Sequence, residues 1–136
     1  MEKNSKGDII GAGEKTALSI LQDLFKGCII KPQYPLIKLL TEEYKDSLSD
    51  SYLKHKVDIM IFRPTDKTIA VRVQGKTHNG VLKSARDTVQ KKILEWHDCI
   101  VVDLDWEECP YLFSEEKSEN SYLEVLNAFN QAGLHF

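Results

Sequence analysis

The stretch KVDIMIFRPTDKTIAVRVQGK, residues 56–76, decides the fold. Residues 56–62 are apolar on both faces apart from Asp58, and residues 68–74 are rich in β-branched side chains. Both runs have the length and composition of buried strands, and the polar RPTDK between them is typical of a turn. The stretch therefore predicts a β-hairpin at the centre of the protein.

The sequence before the hairpin predicts a tail, a helix and a strand. Residues 1–12 are expected to form a flexible tail, and apolar residues at helical spacing predict an amphipathic helix over about 14–26. A short strand at 28–31 continues into a proline-interrupted extended stretch, which fits only the edge of a sheet. The polar residues 41–54 are consistent with either a loop or a short helix.

The sequence after the hairpin predicts helix, strand and helix. A helix is expected over about 82–97, followed by a buried strand at 99–106. The last helix is expected to open with a capping box formed by Ser121 and Glu124. The residues of the 82–97 helix expected to face inward are Ala85, Val89, Ile93 and Trp96.

These elements give the order α-β-β-β-α-β-α, which predicts an α/β fold with a mixed four-stranded sheet flanked by helices. The chain of 136 residues fits one domain, 1–136, and 42% hydrophobic and 29% charged residues are typical of a globular protein. No apolar run approaches the roughly 20 residues that span a bilayer, and the start of the chain lacks a signal-peptide core. We therefore expect an intracellular, cytoplasmic protein without membrane partners.

Charge is distributed unevenly along the chain. The net charge is −3, yet residues 63–92 carry eight basic side chains against two acids, and residues 103–119 carry seven acids against one lysine. A basic segment of this kind can follow nucleic-acid phosphates. It is also consistent with a solvated hairpin and helix face, which charge alone favours.

Asp58 is the residue that points to chemistry. A carboxylate inside an apolar strand needs a cation, a metal ion or several hydrogen-bond donors to offset its loss of hydration. Side-chain alternation puts Arg72, Gln74 and Lys76 on one face of the next strand, beside Asp58. The spacing is compatible with a Mg²⁺ site and with a buried salt bridge from Asp58 to Arg72 or Lys76, and it does not decide between them.

The segments KVDIMIF, IAVRVQGKTHNG, ARDTVQKKIL and CIVVDLDW resemble, in that order, the PD-(D/E)xK nuclease superfamily. The most similar branch contains very-short-patch-repair-like endonucleases. Asp58 matches the acid of the first strand, Gln74-Gly75 and His78 match the end of the second, and Asp87 with Lys91 match the following helix. The segment GEKTALSILQDLFKG also resembles the first helix of archaeal resolvase-like members. The two resemblances together span about residues 14–106.

The resemblance implies a restriction-endonuclease-like core that hydrolyses DNA with Mg²⁺ or Mn²⁺. Asp58, Glu14 and Gln74 would hold the metal ion, and Lys76 would activate water. The expected partner is nucleic acid, with DNA expected; RNA and a homodimer are both left open. The residues implied to contact nucleic acid are Arg72, His78, Arg86, Gln90 and Lys91.

This sequence departs from the family pattern at the second metal-binding acid. One alignment puts Arg72 there and the other puts Gln74, and neither is a carboxylate. Two hypotheses follow. The chain is either a metal-dependent endonuclease in which Glu14 supplies the second acid, or a degenerate nuclease-fold module that binds nucleic acid or a protein without cleavage.

Overall fold

The predicted hairpin forms the middle of a four-stranded sheet. The computed structural model describes residues 2–3, 9–10, 13–40, 55–75 and 81–135, with side chains for all of these except 2–3, 9–10 and 81–84. The strands are β1 (Glu2–Lys3), β2 (Ile9–Ile10), β3 (Ile29–Pro35), β4 (Lys56–Phe62), β5 (Thr68–Gln74) and β6 (Cys99–Asp105). The helices are α1 (Glu14–Leu24), α2 (Val81–Trp96), α3 (Pro110–Phe113) and α4 (Glu119–Gln131), and a 3₁₀ turn covers Leu36–Lys38.

The sheet has the order β3-β4-β5-β6 and is mixed, as predicted. The strands β3, β4 and β5 pair antiparallel, with Met60 opposite both Lys31 and Ala70. The last strand, β6, pairs parallel with β5 along its whole length, from Thr68–Cys99 to Gln74–Asp105. The parallel pairing brings the carboxyl ends of β5 and β6 to the same edge of the sheet.

Helices cover both faces of this sheet. On one face, α1 and α4 pack on odd-numbered residues of β4 and β5 such as Ile59 and Val71, whereas Val57, on the other side of Asp58, belongs to the opposite cluster. On the other face, α2 packs on the even-numbered residues Met60 and Ala70. This alternation follows from the two-residue period of a strand, and it separates two apolar clusters. Along the described part of the chain, every helix is too short or too polar to cross a membrane.

The chain before β4 agrees in part with the sequence. The proline-containing strand β3 lies at an edge of the sheet, where missing backbone N–H groups are tolerated, as predicted. Within the predicted tail 1–12, the short strands β1 and β2 form an antiparallel ladder. The rest of that tail and the predicted loop or helix at 41–54 lie outside the described residues.

The predicted inward face of α2 is wrong for three of its four residues. Ile93 is buried, but Ala85 and Val89 are exposed and Trp96 keeps 66% of its surface accessible to solvent. The buried face is turned toward Gln90 and Leu94 instead. Gln90 can occupy this face because its amide has partners there, the Arg72 guanidinium and the Lys56 carbonyl.

The predicted capping box of the last helix is shifted by one turn. Ser118 is the N-cap of α4 and exchanges hydrogen bonds with Ser121, which lies at the third helical position. Glu124 instead accepts hydrogen bonds from the backbone N–H groups of Tyr111 and Leu112, at 3.1 and 2.8 Å. Its carboxylate therefore caps the neighbouring helix α3, which no local sequence pattern indicates.

Candidate functional site

The strands β4 and β5 separate at Asp58. Their ladder runs from Ile61–Ile69 to Ile59–Val71 and extends no further. Beyond it, Asp58 Oδ2 accepts a hydrogen bond from the Val73 backbone N–H at 2.7 Å. The carboxylate thus takes the place that a strand carbonyl would occupy, and it satisfies a backbone donor that the separation would otherwise leave unpaired.

The environment of Asp58 disfavours its charged form. Burial raises the pKa of Asp58 to about 7, although the hydrogen bond from Val73 opposes the shift. The negative charges of Glu14 and Asp87 raise the pKa further, and the Arg72 cation lowers it. The Asp58 carboxyl therefore titrates near neutral pH.

Arg72 is a buried cation held by several partners. The residue is 6% exposed, and its Nε and Nη2 donate to the two carboxylate oxygens of Asp103 at 2.7 and 3.0 Å. Its Nη1 donates to the Asp87 carbonyl at 2.6 Å and, at the long distance of 3.5 Å, to Gln90 Oε1. A two-pronged pair of this kind is the strongest that arginine makes with a carboxylate.

The partner of Arg72 differs from the one the sequence suggested. The salt-bridge interpretation paired Arg72 with Asp58, but the bidentate pair is with Asp103 on β6. In the sequence Asp103 is one acid among the seven of residues 103–119, with nothing to distinguish it. Its role follows from the parallel register, which sets Arg72 directly opposite Asp103. That register cannot be read from either strand alone.

Glu14 reaches the same region from α1, on the other face of the sheet. It is the first residue of the helix and is 6% exposed. Its Oε1 accepts a hydrogen bond from the side-chain amide of Gln33 on β3. The preceding residue, Gly13, has φ +83° and lies against the ring of Phe113, where a Cβ would come within 3.0 Å of the ring.

Four predicted site residues line one small cavity. Asp58, Arg72, Gln74 and Gln90 border a space of about 180 Å³. Gln74 Nε2 also donates to Asp103 at 3.4 Å, a weak contact. The prediction that Asp58 and Gln74 lie on the same side at one end of the hairpin agrees with this geometry, whereas Lys76 and His78 lie outside the described residues.

The predicted phosphate contacts Arg86 and Lys91 are exposed on α2. Lys91 borders a second cavity, of about 600 Å³, between α2 and β6. Five acidic residues line this cavity, so its charge is mixed rather than basic. They are Asp87, Glu95, Asp103, Asp105 and Glu107.

Ion pairs reduce the basic character expected of residues 63–92. Arg72 is neutralised by Asp103, and three surface lysines and arginines of the segment have acidic neighbours. These pairs are Arg63–Asp66, Lys67–Asp98 and Lys92–Glu95, at 3.8, 3.4 and 3.9 Å. Arg86 and Lys91 form no ion pair with a residue that the structure describes, so they are the cations of this part of α2 best able to meet phosphate.

The described residues provide an incomplete ligand set for Mg²⁺ or Mn²⁺. These ions need several oxygen ligands, usually with more than one carboxylate. Asp58 and Glu14 are the predicted acids, and Arg72 and Gln74, the two residues aligned with a further acid, are a cation and an amide. Across 13–40, 55–75 and 81–135, no three His, Cys, Asp or Glu side chains are grouped closely enough to hold a metal ion.

The candidate functional site is therefore this end of the sheet, where β4 and β5 separate. A half-buried carboxyl with a raised pKa, a buried arginine and two amides meet there. Comparison of the chain with known protein families, with curated proteins and with solved structures finds no match.

Proposed function

We propose that this chain is a nucleic-acid-binding domain with a PD-(D/E)xK-like core that does not cleave its ligand. The support for the core is the described order of strands and helices together with the sequence resemblance. The support for binding is the resemblance and the two exposed cations of α2 that make no ion pair with a described residue, Arg86 and Lys91. DNA is the expected ligand.

The observation that carries the proposal is the buried Arg72–Asp103 pair. In the family pattern, the position of Arg72 in one alignment belongs to a metal-binding acid. Here a guanidinium occupies it and is fixed by Asp103, the Asp87 carbonyl and Gln90. Arg72 is itself buried, so displacing its guanidinium from Asp103, the Asp87 carbonyl and Gln90 to admit a divalent cation would break these hydrogen bonds, which is unfavourable. The arrangement therefore favours binding over cleavage.

The salt dependence of DNA binding tests the proposed surface. Each phosphate contact that releases a counterion contributes about −0.9 to the slope of log K against log salt concentration. Replacing Lys76, Arg86 and Lys91 together by glutamine should flatten the slope by about 2 to 3 units. Fluorescence anisotropy with a labelled duplex, at several salt concentrations, measures it.

A second triple variant controls for net charge. Lys26, Lys31 and Lys67 are exposed and lie away from the Asp58 end of the hairpin. Their replacement by glutamine removes the same three charges and should leave the slope nearly unchanged. Equal slopes for both triple variants would reject this part of α2 as the phosphate-binding surface.

The second candidate function is metal-dependent endonuclease activity. One observation favours it: Asp58 and Glu14 are close enough for the charge of one to raise the pKa of the other, and a bound divalent cation would remove that repulsion. Lys76, which the resemblance assigns to water activation, is present in the sequence. Mg²⁺ or Mn²⁺ would supply a Lewis acid to the site.

Calorimetric titration with Mn²⁺ separates the two candidates. The binding-only proposal expects no heat from wild type and a binding signal from Arg72→Glu, which supplies the missing acid. Asp58→Asn in the Arg72→Glu background should abolish that signal. Binding by wild type that is lost in Asp58→Asn, with nicking of plasmid DNA in Mn²⁺, would instead support the endonuclease.

A further inference from the structure

The backbone of β3 is irregular at Gln33. Gln33 has φ +50° within a strand that is otherwise paired with β4. The ladder joins Pro32 to Ile59 and Tyr34 to Val57, and it omits the intervening pair of Gln33 and Asp58. Left-handed backbone is costly for any residue that has a Cβ, and such residues concentrate at functional sites. The irregularity lies directly opposite the residue that anchors the candidate site.

The side chain of Gln33 contacts the first residue of α1. Its amide donates a hydrogen bond to Glu14 Oε1. Glu14 belongs to α1 and is nearly inaccessible to solvent, so its carboxylate depends on protein donors rather than on water. A strand residue with regular φ would direct its side chain perpendicular to the sheet, on the face set by alternation.

The start of α1 is fixed independently of Gln33. The Phe113 ring packs on Gly13, immediately before Glu14, and also comes within 3.9 Å of the Cβ position of Gly75. Phe113 thus contacts the residues next to Glu14 and next to Gln74. With the backbone of Glu14 held in this way, the direction of its carboxylate depends on what its side chain meets.

We propose that Gln33 is a positioning residue of the candidate site, whose strained backbone aims its amide at Glu14 and holds that carboxylate beside Asp58. The residue does not itself need to contact a ligand. This inference rests on the proposed function only in taking the region around Asp58 as the site. It concerns the geometry of the free protein.

Three variants separate the backbone strain from the amide contact. Gln33→Leu keeps a side chain at the strained position but removes the donor, so it should unfold at lower urea concentration than wild type. Gln33→Gly relieves the strain as well and should lie between the two. Glu115→Gly is the matched control, because Glu115 is exposed with φ +63°, and it should raise the urea midpoint by strain relief alone.

The Val73 amide resonance reports on the site rather than on stability. Its N–H donates to Asp58, so its proton shift responds to changes around that carboxyl. If Gln33 positions Glu14, Gln33→Leu and Glu14→Ala should move this resonance in the same direction, and the double variant should add nothing to Glu14→Ala. Gln33→Gly should give the same displacement, which provides a second variant if Gln33→Leu folds poorly.

Two outcomes would overturn the inference. An unmoved Val73 resonance in both Gln33 variants would make the contact a structural one, and additive effects in the double variant would mean that Gln33 acts without Glu14. These spectra are recorded without nucleic acid or metal. A failure to bind DNA would therefore reject the proposed function and leave this inference standing. Conversely, an unmoved Val73 resonance in a protein that binds DNA would reject this inference and leave the proposed function standing.

Discussion

The two ends of the β4–β5 hairpin carry similar charged side chains in very different surroundings. At the turn end, residues 63–67, Arg63 and Asp66 approach to 3.8 Å, and their side chains are 18% and 69% exposed. At the open end, where the strands separate, Arg72 donates two hydrogen bonds to Asp103, at 2.7 and 3.0 Å, and these side chains are 7% and 35% exposed. Burial, and not residue type, distinguishes the two ends.

The difference in burial between the two ends points to the open end as the place where function should be sought. An exposed ion pair contributes little to stability, because water and salt screen it. A buried pair costs a great deal if one partner is lost. The open end also contains Asp58, a carboxyl whose pKa is raised by burial to about 7. Such groups serve either ligand binding or the stability of the fold, and the following variants distinguish the two roles.

The largest loss of stability is expected from Arg72→Met. It removes both hydrogen bonds to the half-buried Asp103 and the donor to the Asp87 carbonyl. The free energy of unfolding should fall by about 3 kcal/mol, the lower end of the range for a buried pair, because Asp103 remains partly hydrated. The same substitution at Arg63, in the turn end, should cost less than about 1 kcal/mol. Urea denaturation monitored by circular dichroism measures both, and equal costs would contradict the comparison.

Asp58→Asn should change the pH dependence of stability. The folded pKa is raised from the ordinary 3.8 to about 7, so between these values the unfolded chain has lost its proton while the folded chain keeps it. The Asp58 contribution to stability is therefore greatest below about pH 4, falls as the pH rises, and levels off above about pH 7.

Removing this titration should stabilise the variant relative to wild type as the pH rises from 4 to 8. The full difference is about 4 kcal/mol at most. Asp66→Asn, at the exposed turn end, should give nearly parallel curves for variant and wild type. Urea denaturation at pH 4, 6 and 8 provides the data. A difference between Asp58→Asn and wild type that does not vary with pH would show that Asp58 titrates normally.

The smallest effect is expected from Gln74→Leu. The weak 3.4 Å contact with Asp103 is the hydrogen bond that Gln74 makes through its amide in the described structure. Its loss should therefore cost no more than about 1 kcal/mol. Lys67→Gln, which removes an exposed pair with Asp98, should cost a similar or smaller amount. A much larger cost for Gln74→Leu, in thermal or urea denaturation, would make Gln74 a structural residue rather than one available to a ligand.

The sequence by itself determined the hairpin, the edge position of β3 and the mixed four-stranded sheet. These follow from local signals: β-branched runs, a polar turn, and prolines that cannot donate to a central ladder. It also singled out Asp58, since a carboxylate within KVDIMIF conflicts with its apolar neighbours. Such a conflict between a residue and its local pattern is visible without a structure.

Tertiary structure alone decided the partners of the polar residues. Arg72 meets Asp103 because β5 and β6 are parallel and in one particular register, and Gln33 meets Glu14 because an irregular strand points its amide toward α1. Contacts between distant segments also set which face of α2 is buried. Gln90 lies on that face, although Val89 and Trp96 were expected there. Hydrogen bonds between distant segments depend on relative positions set by packing, and no window of sequence contains those positions.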